Sequence, residues 1–509
     1  MRYVIGIDLG TSGTKTVMFD ENGNIIADSL CEYPLYRPQN GWAEQDPDDW
    51  WNAAVKTVKT VIEKSGADPA DIKGIGISGQ MHGLVMLDKE NRVLRKSIIW
   101  CDQRTAAECE DIENAVGRER LIEITANPAL TGFTASKILW VRKNEPEIYK
   151  NCAHILLPKD YVRFKLTGEY ATDVSDASGM QLLDIANRCW SDEVLEKLKI
   201  DKALLGKVYE SQEITGYVTE SAARLTGLAA GTAVVGGAGD NAAAAVGTGT
   251  VNDSDAFTTI GTSGVVYVHT KQMKLDKAGR VHTFCCAVPN EWHVMGVTQA
   301  AGLSLKWFKD EFCADIAGLA KAENKKTYAF LDEKAEQSGV GAKRLIYLPY
   351  LMGERTPHLD PYARGVFFGL NTVHNRYDMV RAVMEGVGYS LWDCLSVFGE
   401  MGVGVNKMLA CGGGGTSRLW RQMLSDMYGL NVSKTDSPEA PALGAAILAM
   451  VGTGIYPSVK TACEKIIKVG ETARPNGENG KKYAEIYRIY KDLYINLKQS
   501  FKDLSRIGD

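Results

Sequence analysis

The chain has 509 residues, 45% of them apolar and 24% charged, enough for two or three domains with substantial cores. A formal charge of −5 supplies no field to draw in nucleic acid or an anionic membrane, so neither is an expected partner and an anionic ligand has to be held by local groups. No apolar run reaches the roughly 18 residues of a membrane span, and strand-like sequence begins at Tyr3, which leaves no room for a signal peptide.

"YVIGIDLGTSGTKTVMFD" (Tyr3–Asp20) reads as two β-rich runs joined by a tight turn. The turn fits no Walker loop, because Thr14 separates Lys15 from Gly13 and a strand follows; nor does it open a helix as a dinucleotide fingerprint would. In a hairpin, Gly10 and Gly13 let main-chain N–H groups approach phosphate oxygens closely. Thr11, Ser12 and Thr14 add hydroxyl donors there, and Lys15 adds one charge. A plain hairpin without a ligand is the alternative. Asp8, at the end of the entering strand, suits Mg²⁺ held through waters, or a carboxylate that only shapes the turn.

"IKGIGISGQMHG" (Ile72–Gly83) is a polar start, a buried strand and a glycine turn carrying Gln80, Met81 and His82. "WCDQRT" (Trp100–Thr105) offers an aromatic face for the C–H side of a sugar, with Asp102 and Arg104 for its hydroxyls. In "TAVVGGAGDNAAAAVG" (Thr232–Gly247), Asp240 opens an alanine-rich helix and reads as its N-cap. Near the positive end of the helix dipole it would stay ionised, able to orient a hydroxyl and take its proton, with Asn241 bonding a neighbouring hydroxyl.

After the connector "GTGTVNDSDA" (Gly247–Ala256), the GTSG turn recurs at Gly261–Gly264 between "DAFTTI" and "VVYVHT". "NKMLACGGGGTS" (Asn406–Ser417) then repeats the plan of Ile72–Gly83. Two such pairs in the same order predict two α/β halves of similar design facing a cleft. Thr259 stands where the first half has Asp8, so the halves differ in function. The glycine run Gly412–Gly415, ahead of Ser417 and "RLWRQML", suits the adenosine of a nucleotide or is a flexible strand–helix turn. Near the end, Tyr483, Tyr487, Tyr490, Tyr494 and Phe501 fall on one helical stripe, predicting a helix packed on the body. Eleven scattered cysteines with no C-x-x-C pair, and seven histidines with no H-E-x-x-H, predict a reducing, cytoplasmic setting and an oxygen-bound metal.

These motifs, with "GWAEQDPDDWW" (Gly41–Trp51), "LPKDYVRFKLTGEYATDVSDASG" (Leu157–Gly179), "LPYLMGERTPH" (Leu348–His358) and "ARGVFFGL" (Ala363–Leu370), run along nearly the whole chain. Together they resemble the carbohydrate kinases of the glycerol kinase–xylulose kinase (FGGY) group. The resemblance implies an α/β fold of two actin-like (ribonuclease-H-like) domains facing a central cleft. Residues 1–250 would carry the sugar site, the base and the first phosphate turn. Residues 251–509 would carry the nucleotide site and a helical tail from about residue 478.

The resemblance further implies ATP and Mg²⁺ as cofactors, a small sugar as substrate and a homodimer as assembly. Asp240 matches the catalytic base and Asp8 the acid that positions metal and phosphate. Met81 and His82 match the sugar-contacting pair, and Thr262, Gly413, Gly414 and Ser417 fall where relatives contact ATP, alongside Gly261 of the second turn. The motifs look most like those of members that phosphorylate D-xylulose at O5; ribulose, a deoxy-ketose, gluconate or glycerol are the alternative acceptors. A more distant alternative is an actin-fold ATPase machine. The two acids, Asp8 and Asp240, are expected on facing flanks of one crevice.

Overall fold

The computed structural model of the protein describes residues 2–436 and 439–507. Two seven-stranded sheets organise it, and each is built the same way. In the first half the elements are β1 (Tyr3–Leu9), β2 (Gly13–Asp20), β3 (Ile25–Glu32), α1 (Pro47–Ser65), β4 (Ile72–Gly79), β5 (Ile214–Tyr217), β6 (Ala233–Val235), β7 (Ala238–Gly239) and α2 (Asp240–Gly247). The sheet order is β5-β6-β4-β1-β2-β3, with β7 pairing the end of β4. The β1–β3 hairpins are antiparallel, whereas β4 runs parallel to β1 and β6 parallel to β4. Helix α1 shows how sequence sets these elements locally. Asp46 caps it by accepting from Asp48 N, Pro47 takes the first turn, and Gly66 ends it in the left-handed region at φ 63°. Its Trp50, Ala54, Val58 and Val61 pack against Ile5, Ile7, Ile75 and Ile77 of the sheet.

The second half repeats the scheme with β8 (Asp255–Ile260), β9 (Gly264–Thr270), β10 (His282–Cys285), β11 (Trp292–Thr298), α3 (Gly302–Phe312), α4 (Arg376–Glu400), β12 (Lys407–Cys411), α5 (Arg418–Tyr428), β13 (Val432–Thr435), α6 (Ala440–Gly452), α7 (Val459–Ile466), β14 (Val469–Ala473) and α8 (Gly477–Leu504). Its sheet order is β10-β11-β9-β8-β12-β13-β14. Antiparallel β8–β9–β11 and parallel β8–β12–β13 mirror β1–β2–β3 and β1–β4–β6. The internal repeat is therefore a repeat of topology, with one difference. Gly10 N donates to Gly13 O, but Gly261 N donates to Ser263 O, so the second turn is one residue tighter.

The halves are interlocked. Helix α6 belongs to the second half in sequence but lies on the first sheet, where Val4, Val17, Ala446, Ile447 and Ala462 share one core. Glycines make this contact possible. A Cβ on Gly76 would sit 1.8 Å from the Ala445 carbonyl oxygen, and one on Gly6 would sit 1.9 Å from that of Ala442. Gly247 and Gly444 bring α2 and α6 together in the same way, with clashes of 1.8 and 1.9 Å against Ala440 O and Ala243 O. The second unit, expected to span 251–509, thus lends its α6–α7 segment to the first. The tail helix α8 buries Tyr483, Tyr487, Tyr490, Tyr494 and Phe501 against Leu348, Tyr350 and Tyr389. Among the described residues no helix is long and apolar enough to cross a membrane.

Candidate active site

Strand register assembles the two acids. Asp8 lies opposite Lys15 of β2 and beside Ser78 of β4, and Ser78 in turn pairs with Ala238 of β7, two residues before Asp240. Both carboxylates therefore sit at the C-terminal ends of strands of one sheet, not on facing flanks as expected. Ser78 Oγ donates to Asp8 Oδ1 at 3.0 Å. Burial, and then the neighbouring Asp240 charge, push Asp8 up to about 7, with the Ser78 bond opposing and Glu439 adding to the rise.

Asp240 is the first residue of α2, and Gly239 occupies the cap position without a side-chain cap bond. The N-cap reading is corrected accordingly. The carboxylate lies inside the first turn, where its Oδ1 accepts from Asn241 N at 2.7 Å and Asn241 Nδ2 at 2.9 Å. Burial raises Asp240 to about 6 against those two bonds, which weakens the preference for the ionised form while leaving that form the major one at neutral pH. A carboxylate titrating just below neutrality is suited to accepting a proton at physiological pH.

Met81 packs directly on this acid's approach, since a Cβ on Gly239 would lie 3.0 Å from its Sδ. His82 follows in a left-handed conformation, φ 71°, a costly geometry for a side chain with a Cβ. Two contacts hold it there: Lys137 Nζ donates to the His82 carbonyl at 2.8 Å and Thr134 Oγ1 donates to it at 3.1 Å. His82 Nδ1 lies 2.9 Å from the Gly179 carbonyl, which makes it the protonated nitrogen and leaves Nε2 as an acceptor. Burial, then the Lys137 charge, push His82 down to about 3, so the ring is neutral. Lys137 itself is lowered by burial to about 7. It was not singled out from sequence, because nothing in "TASKILW" (Thr134–Trp140) marks it as a site residue.

Trp100 is 43% exposed and its Nε1 donates to Thr11 Oγ1 at 3.0 Å, tying an aromatic face to the first turn. Its neighbours in sequence behave differently. Asp102 is fully buried, with Oδ2 accepting from Ala43 N at 2.6 Å and both oxygens taken by Arg104. Arg104 pairs with Glu44 at 2.8 Å and lies 3.6 Å over the Trp42 ring. The expectation that Asp102 and Arg104 grip sugar hydroxyls is corrected: they brace the loop that presents Trp100.

In the first turn, Gly10 N is satisfied internally, whereas the Thr11 and Ser12 N–H groups have no acceptor among the described residues. Tyr33 OH and Gln45 Nε2 hold the carbonyls of Gly10 and Thr11 from behind. Gly13 is needed for packing, since a Cβ there would meet the Cys31 carbonyl oxygen at 2.8 Å. Two expected phosphate contacts are corrected. Thr14 is fully buried, and Lys15 Nζ is committed to Asp28 at 2.6 Å and Glu439 at 3.4 Å.

The second turn is pinned to α3, with Gly302 N donating to Gly261 O at 2.7 Å and Ala301 N to Thr262 O at 3.0 Å. It opens onto a cavity of about 1110 Å³ lined by Gly261, Thr262, Gly302, Gly413, Gly414 and Ser417. These residues include the nucleotide positions expected in the second half, and Gly302, Lys306 and Tyr328 join them from elements that carried no motif. Gly412, at φ 73°, turns the chain into a single helical turn, Gly412–Gly415. A Cβ on Gly413 would meet nothing within 4 Å, so that backbone faces open space. Ser417 Oγ accepts from Trp420 N at 3.0 Å and caps α5 at the cavity wall.

Among the described residues no three His, Cys, Asp or Glu side chains converge to form a metal cage. What the site offers a cation is Asp8, close to the Asp240 and Glu439 charges. That set fits Mg²⁺, which takes one or two carboxylates and relies on nucleotide phosphates and water for the rest.

The models of the N- and C-terminal domains of the FGGY family of carbohydrate kinases match residues 3–247 and 256–453. The chain is 42% identical over 494 residues to the xylulose kinase of Escherichia coli (strain K12), covering 97% of this chain and 99% of that one. It is 38% identical over 498 residues to the xylulose kinase of Bacillus subtilis (strain 168), covering 98% of each. The crystal structure of xylulose kinase from Rhodospirillum rubrum superposes with a TM-score of 0.91 at 29% identity, over 98% of this chain and 100% of that one. With both domains matched over most of the chain, this protein belongs to the FGGY family of carbohydrate kinases.

Proposed function

We propose that the protein transfers the γ-phosphoryl group of ATP to O5 of D-xylulose, giving D-xylulose 5-phosphate and ADP. The observation that carries this reading is Asp240. It is a carboxylate raised to about 6, with one oxygen held by Asn241, and Met81 packs against the Gly239 that precedes it while also touching the Gly179 turn where His82 lies. Relatives named xylulose kinase, matched end to end, support the choice of sugar.

In this mechanism the substrate O5 hydroxyl bonds the free oxygen of Asp240. As O5 attacks the γ-phosphorus, its proton passes to Asp240 and the bond between the γ-phosphorus and the bridging oxygen breaks, releasing ADP. The unpaired N–H groups of Thr11 and Ser12 are positioned to donate to phosphate oxygens, and the cavity at Gly261, Thr262, Gly413 and Gly414 receives the nucleotide. Asp8 would hold a magnesium ion, which would supply neutralisation of phosphate charge. Most of the rate gain comes from positioning and electrostatics, since little covalent chemistry is asked of the protein.

The test is ATP consumption with D-xylulose, ribulose, a deoxy-ketose, gluconate and glycerol offered separately. D-xylulose is expected to give the highest kcat/KM; preference for another acceptor retires the assignment. Rapid hydrolysis without any sugar would point instead to an ATPase machine.

A further inference from the structure

One group of the second half reaches the sugar side of the site. Arg355 lies in "LPYLMGERTPH", and the chain on both sides of it is fastened. Glu354 accepts from Thr298 Oγ1 at 2.6 Å, Ser390 Oγ at 3.0 Å, Gln299 N at 3.0 Å and Arg355 N at 2.7 Å. Thr356 N donates to Val297 O at 3.0 Å and its Oγ1 accepts from Val297 N at 3.1 Å. The guanidinium itself is left over. Among the described residues it makes no hydrogen bond or ion pair, although the side chain is half-buried and burial depresses its pKa. An unpaired, partly desolvated guanidinium is unfavourable until an acceptor arrives.

Its direction identifies the acceptor. A Cβ on Gly132 would lie 4.0 Å from Arg355 Nη2 and 2.9 Å from the Trp100 carbonyl oxygen, so the guanidinium stands over the loop that presents Trp100. Its charge also bears on His82 and His282, helping to hold both neutral. The site therefore has an order: Asp240, then Met81 against Gly239, then His82, then Arg355 beyond. If O5 lies at Asp240, the other end of the sugar points toward Arg355. D-xylulose closes to a furanose through O5 itself, so a molecule phosphorylated at O5 must be bound as the open chain. Its far end then presents a C2 carbonyl beside the O1 hydroxyl, two adjacent acceptors that match the planar donor fork of an arginine.

We propose that Arg355, delivered across the cleft by the second half, donates to O2 and O1 of the open-chain ketose and selects for that end of the substrate. This inference rests on the D-xylulose reading above. Because the Arg355 guanidinium needs the sugar as its partner, it also links sugar binding to the approach of the two halves.

The experiment measures equilibrium binding of D-xylulose and 1-deoxy-D-xylulose to the wild type and to Arg355→Gln, with thermal midpoints recorded for both proteins. The wild type should bind the 1-deoxy sugar about tenfold more weakly. Arg355→Gln should weaken D-xylulose binding by about 10- to 100-fold. It should also bind the two sugars within about twofold of each other and keep the KM for ATP. Equal binding of the two sugars by the wild type overturns the proposal whatever the variant does. So does a variant that still discriminates between them as the wild type does. Wild-type turnover of D-xylulose is measured alongside: its absence overturns the substrate reading, whereas normal turnover with unchanged variant binding overturns the Arg355 assignment alone.

Discussion

Replacing Asp240 by Asn separates its chemical role from its structural one. The amide keeps an Oδ1 that accepts from Asn241 N and so preserves the start of α2, but it cannot take a proton. A positioned base contributes roughly 10²–10⁴-fold, or about 3–5 kcal/mol of barrier, so kcat should fall by that factor. Stability should move the other way. Burial raises Asp240 from 3.8 to about 6, so holding it ionised in the folded state costs up to roughly 3 kcal/mol at about 1.4 kcal/mol per unit.

The sign follows from linkage. A carboxyl whose folded pKa is raised adds stability below its unfolded value, and that contribution is lost as pH rises through the folded value. The wild type therefore bears the full cost above pH 6, about half of it near pH 5 and little near pH 4. Asp240→Asn should accordingly melt at a higher temperature than the wild type at pH 8, with the gap about halved at pH 5. Calorimetry at the two pH values and a coupled assay of turnover read both effects. A variant keeping more than about a tenth of wild-type turnover refutes the base assignment. A melting gap independent of pH refutes the burial argument.

Gly76→Ala forces a Cβ to within 1.8 Å of the Ala445 carbonyl oxygen and should cost about 3 kcal/mol, lowering Tm by roughly 3–6 °C. Gly413→Ala, whose Cβ meets nothing within 4 Å, is the control and should leave Tm unchanged; equal Tm values for the two variants would remove the case for close packing of α6 on the sheet. Lys137→Met removes the Nζ that holds the carbonyls of His82 and Gly132 and should raise KM for the sugar about tenfold while KM for ATP holds. An unaltered sugar KM would show that His82 keeps its left-handed geometry without Lys137.

The repeat, the two hairpin turns, the acids at the strand ends and the tail helix were legible because each is set by residues a few positions apart. Alternation and glycine spacing define a hairpin wherever it occurs, and Asp8 and Asp240 are placed by the strands that immediately precede them. Asp102 and Arg104 were misread for the complementary reason. Their polar groups are consumed by Ala43, Glu44 and Trp42, about sixty residues earlier in the chain, so only the tertiary structure turns a candidate sugar clamp into a brace. Lys15 was likewise claimed by Asp28 and by Glu439, more than four hundred residues further along the chain, and Arg355 drew attention because no side chain among the described residues pairs with it. Helix α6 crosses to the first sheet because Gly6 and Gly76 leave room for its backbone, a fact recorded in no local pattern. The raised values of Asp8 and Asp240 belong to the same class, since burial is a property of everything packed around a group and local sequence specifies only which group is there to be buried.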